Sequence, residues 1–395
     1  MSDTKFIRLQ ASNSDCKSSE RGTSCSSPLR LLTPQTGCCP APVVEKQPGW
    51  ITGTLTTAAG PVPVVSTRIS RAEYWEHVRC RISGFRHSYT VKPGLYAAGR
   101  PDERSEVLVT ANYKLSFDSL RKELGGLDVW ILVLDTKGIN VWCAAGKGTF
   151  GSDELINRLG AAQVGSVVAH KRLILPQLGG PGVSSQKVRQ TTGFSVSFGP
   201  VRAGDIHEYI KAGCKATPEM RRVHFPLVDR LVLTPMELNP AFKMYPWFAL
   251  LTLLFFGLQP QGIIFRDALA GGLPFLLLGV IAIISGAFLT PALLPFIPFR
   301  AFAVKGWIAG IISVSLAMQM TALHGHMDAL LLAFSYIFFP LASSYIGLQF
   351  TGSTTFTGMT GVKKELGIGI PLYLFFSAVS VILLIVYKLG QWGVL

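Results

Sequence analysis

The run Asn140-Val141-Trp142-Cys143-Ala144-Ala145-Gly146-Lys147-Gly148-Thr149-Phe150 sets a single cysteine between an apolar stretch and a Gly-Lys-Gly turn. A thiol in that position can act as a nucleophile or as a ligand for a soft metal. The small residues after it let a large group approach the backbone closely. A strand-to-helix junction in an α/β sheet also offers a ligand both a cleft and a helix N-terminus.

The run fits a phosphate-binding P-loop poorly. Gly148 stands where a Ser or Thr must follow the lysine to bind Mg²⁺, and Val141 stands where the first glycine belongs. It fits a dinucleotide fingerprint in part, because Gly146, Gly148 and Gly151 satisfy G-x-G-x-x-G. The acidic ribose partner about 20 residues on is replaced by Lys171-Arg172, a pair suited to a 2′-phosphate, so an NADP enzyme stays open. Neither pattern gives the thiol a task.

Other residues able to do chemistry are scattered. Cys38-Cys39 is a vicinal pair that could capture a soft cation or be an idle tail pair. His324 and His326 share a short loop with Gly325 and Asp328, and two loop histidines alone make a poor metal site. None of the seven cysteines (Cys16, Cys25, Cys38, Cys39, Cys80, Cys143 and Cys214) forms a C-x-x-C pair, so no zinc ribbon or usual Fe–S cluster is written here. The odd count argues against a full disulfide framework, and no basic-then-apolar leader opens the chain. The soluble part is therefore expected in the reducing cytoplasm, with Cys143 as thiol or thiolate.

The elements that must position Cys143 come from the hydrophobic pattern. Residues 1–60, rich in Ser, Thr, Pro and Gly, read as a disordered tail. Residues 61–240 alternate strands and helices: strands at Val107–Thr110, Val129–Asp135, Ile139–Ala144, within Val167–Leu175 and at Ser195–Val201, with helices at Ser116–Leu124, from Thr149 or Ser152 to Leu159, at Ser185–Gln190 and from Asp205 to Ala212. Val223–Leu233 closes the pattern. This alternation predicts an open, mainly parallel sheet covered by helices.

Residues 241–395 read as a membrane part of five spans: Met244–Ile264, Ala268–Thr290, Phe302–Leu323, Ala329–Phe350 and Leu366–Tyr387. The first is the weakest, being interrupted by Gln259-Pro260-Gln261. With the soluble part in the cytoplasm, Lys243, Arg300, Lys305, Lys363 and Lys364 fall inside, and Arg266 and Lys388 outside. The spans carry almost no internal charge, with Asp267 and Asp328 at their ends, which favours an anchor over an ion-driven pump. The mean hydropathy of +0.38 is too high for one soluble domain. A net charge of +14 suits anionic lipid or an acidic partner. No basic–aromatic stripe points to nucleic acid.

The run from Asn140 to Phe150 resembles the cap-helix motif of the mercury-methylating corrinoid proteins, the HgcA family. Lys92-Pro93-Gly94-Leu95-Tyr96, Val109-Thr110-Ala111-Asn112-Tyr113-Lys114, Leu175-Pro176-Gln177-Leu178-Gly179-Gly180-Pro181-Gly182 and Phe198-Gly199-Pro200-Val201 are also similar to that family. The likeness covers roughly residues 70–390. Several soluble segments also resemble the corrinoid subunit of the acetyl-CoA pathway, which lacks the Trp-Cys cap. Gly180 stands where the family commonly has Ala.

The resemblance implies an α/β Rossmann-like corrinoid-binding domain followed by an α-helical transmembrane domain of five spans, in the cytoplasmic (inner) membrane. It implies a corrinoid (cobalamin-like) cofactor whose cobalt takes Cys143 as its lower axial ligand. In that reading methyl-Co(III) passes its methyl group to Hg(II), giving methylmercury. Thiolate ligation opposite the methyl would push electron density through the metal and favour release to an electrophile. Asn140 would hydrogen-bond near the thiolate or a corrin side amide, and Trp142, beside Val141, would wall the corrin. Ala144, Ala145, Gly146 and Gly148 would keep its lower face flat, and Lys147 would favour the thiolate. Thr110 and Asn112 would meet corrin amides or the nucleotide tail. The turns at Gly179, Gly180, Gly199 and Pro200 would edge the same cleft. His207, in Asp205-Ile206-His207-Glu208-Tyr209-Ile210, lacks the glycine of the usual cobalamin histidine motif and reads as a helix-surface residue.

The partners implied are a ferredoxin-like protein with two [4Fe–4S] clusters (HgcB) as electron donor, a methyltetrahydrofolate-linked methyl donor, Hg(II) as substrate and membrane lipid. Two rival readings stand beside it. One is a membrane-bound corrinoid methyl carrier of one-carbon metabolism; the other is a membrane receptor or transporter with an α/β regulatory domain.

Overall fold

The computed structural model describes residues 47–321, 327–353 and 359–394. Cys38-Cys39 and the His324–His326 pair lie outside them. The chain begins, where described, with β1 (Ile51–Thr57) and β2 (Gly60–Val65), an antiparallel pair whose turn uses Gly60 at φ 101°. Residues 51–57 are thus a strand, not part of a disordered tail. Their Thr and Gly content looks disordered by composition, but β-branched residues in Ile-Thr-Gly-Thr-Leu-Thr-Thr suit an extended edge.

Helix α1 (Arg71–Ile82) starts at a reciprocal cap: Glu73 N–H donates to Ser70 Oγ at 3.2 Å, and Ser70 N–H to Glu73 Oε2 at 3.0 Å. Strands β3 (Gly94–Ala98) and β4 (Val107–Ala111) follow, then α2 (Lys114–Arg121) and β5 (Val129–Leu134). Next come α3 (Val141–Lys147), α4 (Ser152–Ala161), the single turn α5 (Val164–Val167), β6 (Arg172–Leu175), a 3₁₀ turn at Gln177–Gly182, α6 (Ser185–Thr192), β7 (Ser195–Phe198) and α7 (Ile206–Lys211).

The sheet runs β1-β2-β3-β5-β4-β6-β7. Strands β5, β4, β6 and β7 form a parallel block, while β3 is antiparallel to β5. This is a parallel-rich mixed α/β sheet. Val-Trp-Ile-Leu-Val-Leu of β5 is buried along its whole length, as a strand covered on both faces must be. The chain leaves β4 toward β5, then returns across β4 to place β6 on its other side. Connections therefore diverge between β4 and β6, the place where open α/β sheets leave a crevice beyond the strand ends.

Two local expectations are corrected. Ile139–Ala144 is not a strand; Asn140 caps α3, and the small run Ala144-Ala145-Gly146 winds to Gly148, which closes the helix at φ 82°. The helix expected at Ser116–Leu124 instead runs from Lys114 to Arg121, with Tyr113 at its cap position.

Under the sheet, α1 and α2 are joined by buried charges. Lys114 Nζ lies 2.6 Å from Asp118 and 3.1 Å from Glu73; Arg121 Nε lies 2.6 Å from Asp118 and also meets Glu73. His77 Nε2 is 2.7 Å from Asp118 Oδ2. Two cations face two carboxylates, so burial leaves no net charge among the four.

The helical part begins with α8 (Leu227–Gly257), which contains Pro235, Pro240 and Pro246. A short hairpin of β8 (Leu258–Gln259) and β9 (Gly262–Ile263) ends it. The stretch Met244–Ile264 is therefore not one helical span: the helix stops at Gly257 because the polar Gln259-Pro260-Gln261 turns the chain back. Helix α9 (Phe265–Ile284) continues through a π turn at Ser285–Leu289 into α10 (Thr290–Ala292). Then come α11 (Phe302–Met320), α12 (Ala329–Ser353) and α13 (Met359–Gln391). Among the described residues four helical stretches are long and apolar enough to cross a membrane: Phe265–Ala292, Phe302–Met320, Ala329–Thr351 and Thr360–Gln391. Glycines let three of these meet closely. A Cβ at Gly286 or Gly306 would fall within 2.8 Å of the Ser343 carbonyl, and Ser343 Oγ donates to the Gly306 carbonyl at 2.8 Å.

Candidate functional site

The crevice between β4 and β6 holds a cavity of about 300 Å³. Thr110 comes from the end of β4, Leu175 and Pro176 from the end of β6, and Gly199-Pro200 from the turn after β7. Ser116 and Ser119 of α2 form one wall, and Asn140, Val141 and Trp142 of α3 the rim. The lining is mostly apolar with a few hydroxyls and one amide, the usual make-up of a small-molecule site. A Cβ at Gly199 would come 3.0 Å from Ile174 Cγ2, a tight contact that glycine avoids.

Six of the residues predicted from sequence thus converge on one cavity: Thr110, Asn140, Val141, Trp142, Gly199 and Pro200. Cys143 follows Trp142 directly and is half-buried. Asn140 Oδ1 accepts its backbone N–H at 2.9 Å, and the same side chain hydrogen-bonds the thiol. Burial raises the pKa of the thiol, while the Asn140 hydrogen bond and the charges of Lys147 and Arg86 pull it down; burial prevails. The charge of Lys147 favours the thiolate but does not overcome desolvation.

Other predicted residues do different work. Asn112 does not offer its side chain to the cavity. Its Oδ1 accepts from Thr136 N at 3.1 Å and Gly138 N at 3.0 Å, and Nδ2 donates to Asp135 Oδ1 at 3.3 Å. The Thr136 hydroxyl lies 2.9 Å from that Oδ1 and 2.6 Å from the Ile139 carbonyl, with one proton for the two. Asn112 is a tether for the loop that launches α3. Ala144 and Ala145 form no open face; both are buried in the core. Gly146, Lys147 and Gly148 are exposed.

Gly179 and Gly180 belong to the 3₁₀ turn that supports α3 from behind. A Cβ at Gly179 would lie 2.5 Å from the Phe150 ring, and one at Gly182 would lie 2.1 Å from the Phe150 carbonyl and 3.0 Å from Ala145 Cα. A Cβ at Gly180 would make an ordinary 3.8 Å contact with Phe198. Small residues here serve close packing of the cap helix on the turn. Ser116, Ser119 and Arg86 were not singled out by sequence. The spacing of Ser116 and Ser119, one helical turn apart, is the signal that could have found the first two.

Residues 83–210 match the family model described as CO dehydrogenase/acetyl-CoA synthase delta subunit. The chain is 30% identical over 135 residues to the acetyl-CoA decarbonylase/synthase complex subunit gamma of Methanopyrus kandleri, covering 34% of this chain and 29% of that protein. It is 28% identical over 123 residues to the same subunit of Archaeoglobus fulgidus, covering 31% and 26%. It is 28% identical over 178 residues to the corrinoid/iron-sulfur protein large subunit of Moorella thermoacetica, covering 40% of each. The chain spans well under half the length of these relatives. Its α/β part is therefore related to the acetyl-CoA synthase and corrinoid-protein subunits.

Proposed function

We propose that the α/β part binds a corrinoid at the β4–β6 crevice and that the chain is a membrane-anchored corrinoid methyltransferase with Hg(II) as methyl acceptor. The observation that carries this reading is the joining of the crevice rim to Cys143 in one short helix, in a region related to a corrinoid/iron-sulfur protein. The residues suit the group. The Cys143 thiol stands beside a mainly apolar hollow edged by hydroxyl and amide groups. At the lower end of the size range for small-molecule sites, the hollow takes an edge of a corrinoid rather than all of it.

A bound corrinoid supplies a cobalt that carries a methyl group and gives it up to an acceptor. The rest is the work of this chain. Cys143 would hold the cobalt. Asn140 orients the thiol and holds α3 closed at its first turn. Thr110, Ser116 and Ser119 would hydrogen-bond the edge of the group, and Trp142 would exclude water from its rim. Cys143 must lose its proton to ligate, and Asn140, Lys147 and Arg86 oppose the cost that burial puts on the thiolate. Reducing electrons would come from a separate iron–sulfur protein, HgcB-like, and the methyl group from a methyltetrahydrofolate-linked donor. The four apolar helices, with α8 as the fifth membrane element, would hold the domain at the cytoplasmic face of the inner membrane.

A second reading keeps the same site but assigns the methyl group to one-carbon metabolism; the acetyl-CoA-forming relatives favour it. Full-length protein loaded with methylated corrinoid separates the possibilities. The visible spectrum should carry a thiolate-dependent shift that Cys143→Ala removes, and Hg(II) should yield methylmercury in the wild type alone. Corrinoid binding with no methylmercury would transfer the proposal to the second reading. No corrinoid binding by folded protein would remove both.

A further inference from the structure

A second cavity, of about 910 Å³, opens where α8 enters the helical part, between the 293–301 loop and the first turns of α11 and α13. Four cations line it: Arg230, Arg300, Lys305 and Lys364. Arg230 and Lys305 are only 8% and 7% exposed. Their partners are neutral. One Arg230 guanidinium nitrogen donates to the Pro291 and Ala292 carbonyls at 3.0 and 2.9 Å, and Lys305 Nζ donates to the Leu294 carbonyl. Arg230 Nε is buried and has no partner.

Among the described residues Glu365 is the one carboxylate in the lining, and it is already used. Its Oε2 accepts from the backbone N–H groups of Phe302 and Ala303 at 3.0 and 3.3 Å, closing the start of α11. Among the described residues no carboxylate pairs with any of the four cations. Burying two cations without a counter-charge is costly, and an orphaned guanidinium N–H adds to the cost. The remaining walls are apolar, including Phe225, Phe299, Phe302 and Ile368.

We propose that this cavity is an anion site that takes a phosphate group, with Arg230 and Lys305 at its floor and Arg300 and Lys364 at its mouth. Phosphate supplies several acceptor oxygens for the guanidinium and ammonium donors together. The same chemistry is offered by the headgroup of an anionic phospholipid and by free phosphate. Basic pockets between membrane helices on the cytoplasmic side are a recurring setting for the former. The site is separate from the β4–β6 crevice and stands whether or not a corrinoid binds.

The test is thermal unfolding of the full chain in neutral detergent, with phosphatidylglycerol, phosphatidylcholine or inorganic phosphate added. A ligand that binds the folded form raises Tm. A rise with phosphatidylglycerol alone identifies the lipid headgroup; a rise with inorganic phosphate as well identifies a soluble anion. Both support the site, and no rise with either overturns it. Arg300 and Lys364 are exposed, so Arg300→Gln with Lys364→Gln should fold with unchanged Tm in detergent alone. That double variant should need more than about tenfold more ligand for half the shift. An unchanged half-saturation in the double variant would also overturn the assignment.

Discussion

Asn140 grips Cys143 twice: its side-chain oxygen takes the cysteine's backbone N–H at 2.9 Å, and the same side chain hydrogen-bonds the sulfur. One residue therefore both starts α3 and favours the thiolate it presents. Asn140→Ala should cost about 1 kcal/mol through the lost cap. It should also raise the pKa of Cys143 further, since a bond that favours the charged form is gone. The rate of Cys143 alkylation as a function of pH checks this; a profile unmoved by the substitution would show that the amide does not tune the sulfur.

Burial raises the pKa of the Cys143 thiol, and its ligation of a metal must release a proton. Below the raised pKa, ligand-bound thiolate should become easier to form as pH rises. The Cys143-dependent part of the corrinoid spectrum should accordingly grow from pH 6 to pH 9, within roughly the range below an ordinary thiol pKa. Lys147→Gln should shift that rise to higher pH. A spectrum constant across the range would contradict thiol release as the controlling step.

Gly182 and Gly180 sit two residues apart and should respond oppositely to alanine. Gly182→Ala forces a Cβ to 2.1 Å from the Phe150 carbonyl and 3.0 Å from Ala145 Cα, and neither backbone atom can swing away. A loss of about 1–3 kcal/mol is expected, with displacement of α3. Gly180→Ala meets only an ordinary contact with the Phe198 ring and should be nearly neutral. Thermal unfolding of the two variants side by side tests the packing of the cap helix; equal effects would refute it.

Asp118 is held below the usual carboxylate range. Burial alone would raise its pKa, but the His77 hydrogen bond and the charges of Lys114 and Arg121 outweigh it. Glu73 is also lowered. A depressed folded pKa stabilises above the unfolded value and is lost as pH falls through the folded value. The α/β part should therefore keep its stability down to about pH 4 and lose it below. Asp118→Asn leaves two buried cations under-compensated and should cost about 3–5 kcal/mol at neutral pH. Denaturation followed by near-ultraviolet dichroism between pH 3 and 7 would reveal the acid limb.

Much was legible without coordinates. Alternating apolar runs mark β4, β5 and β7, and the unbroken Val-Trp-Ile-Leu-Val-Leu marks a strand buried on both faces. Long apolar stretches mark four of the five expected spans, because length and composition alone decide whether a helix can cross hydrocarbon; the fifth, Met244–Ile264, is not one helix. The residue types around Cys143 marked a candidate site, because a thiol among glycines has few purely structural uses. Local sequence could not assign their tasks. Asn112 reads as a ligand at a strand end until the 135–139 loop folds over it, and Ala144 and Ala145 read as an open face until the 177–182 turn covers them. The capped helix that carries Cys143 reads as a strand when its apolar residues are taken without the Asn140 cap. The crevice between β4 and β6 depends on strand order, and the four-cation cavity on groups that reach from Arg230 to Lys364 along the chain. Such sites arise from burial and pairing between distant segments, whose desolvation and charge balance exist only once the chain has folded.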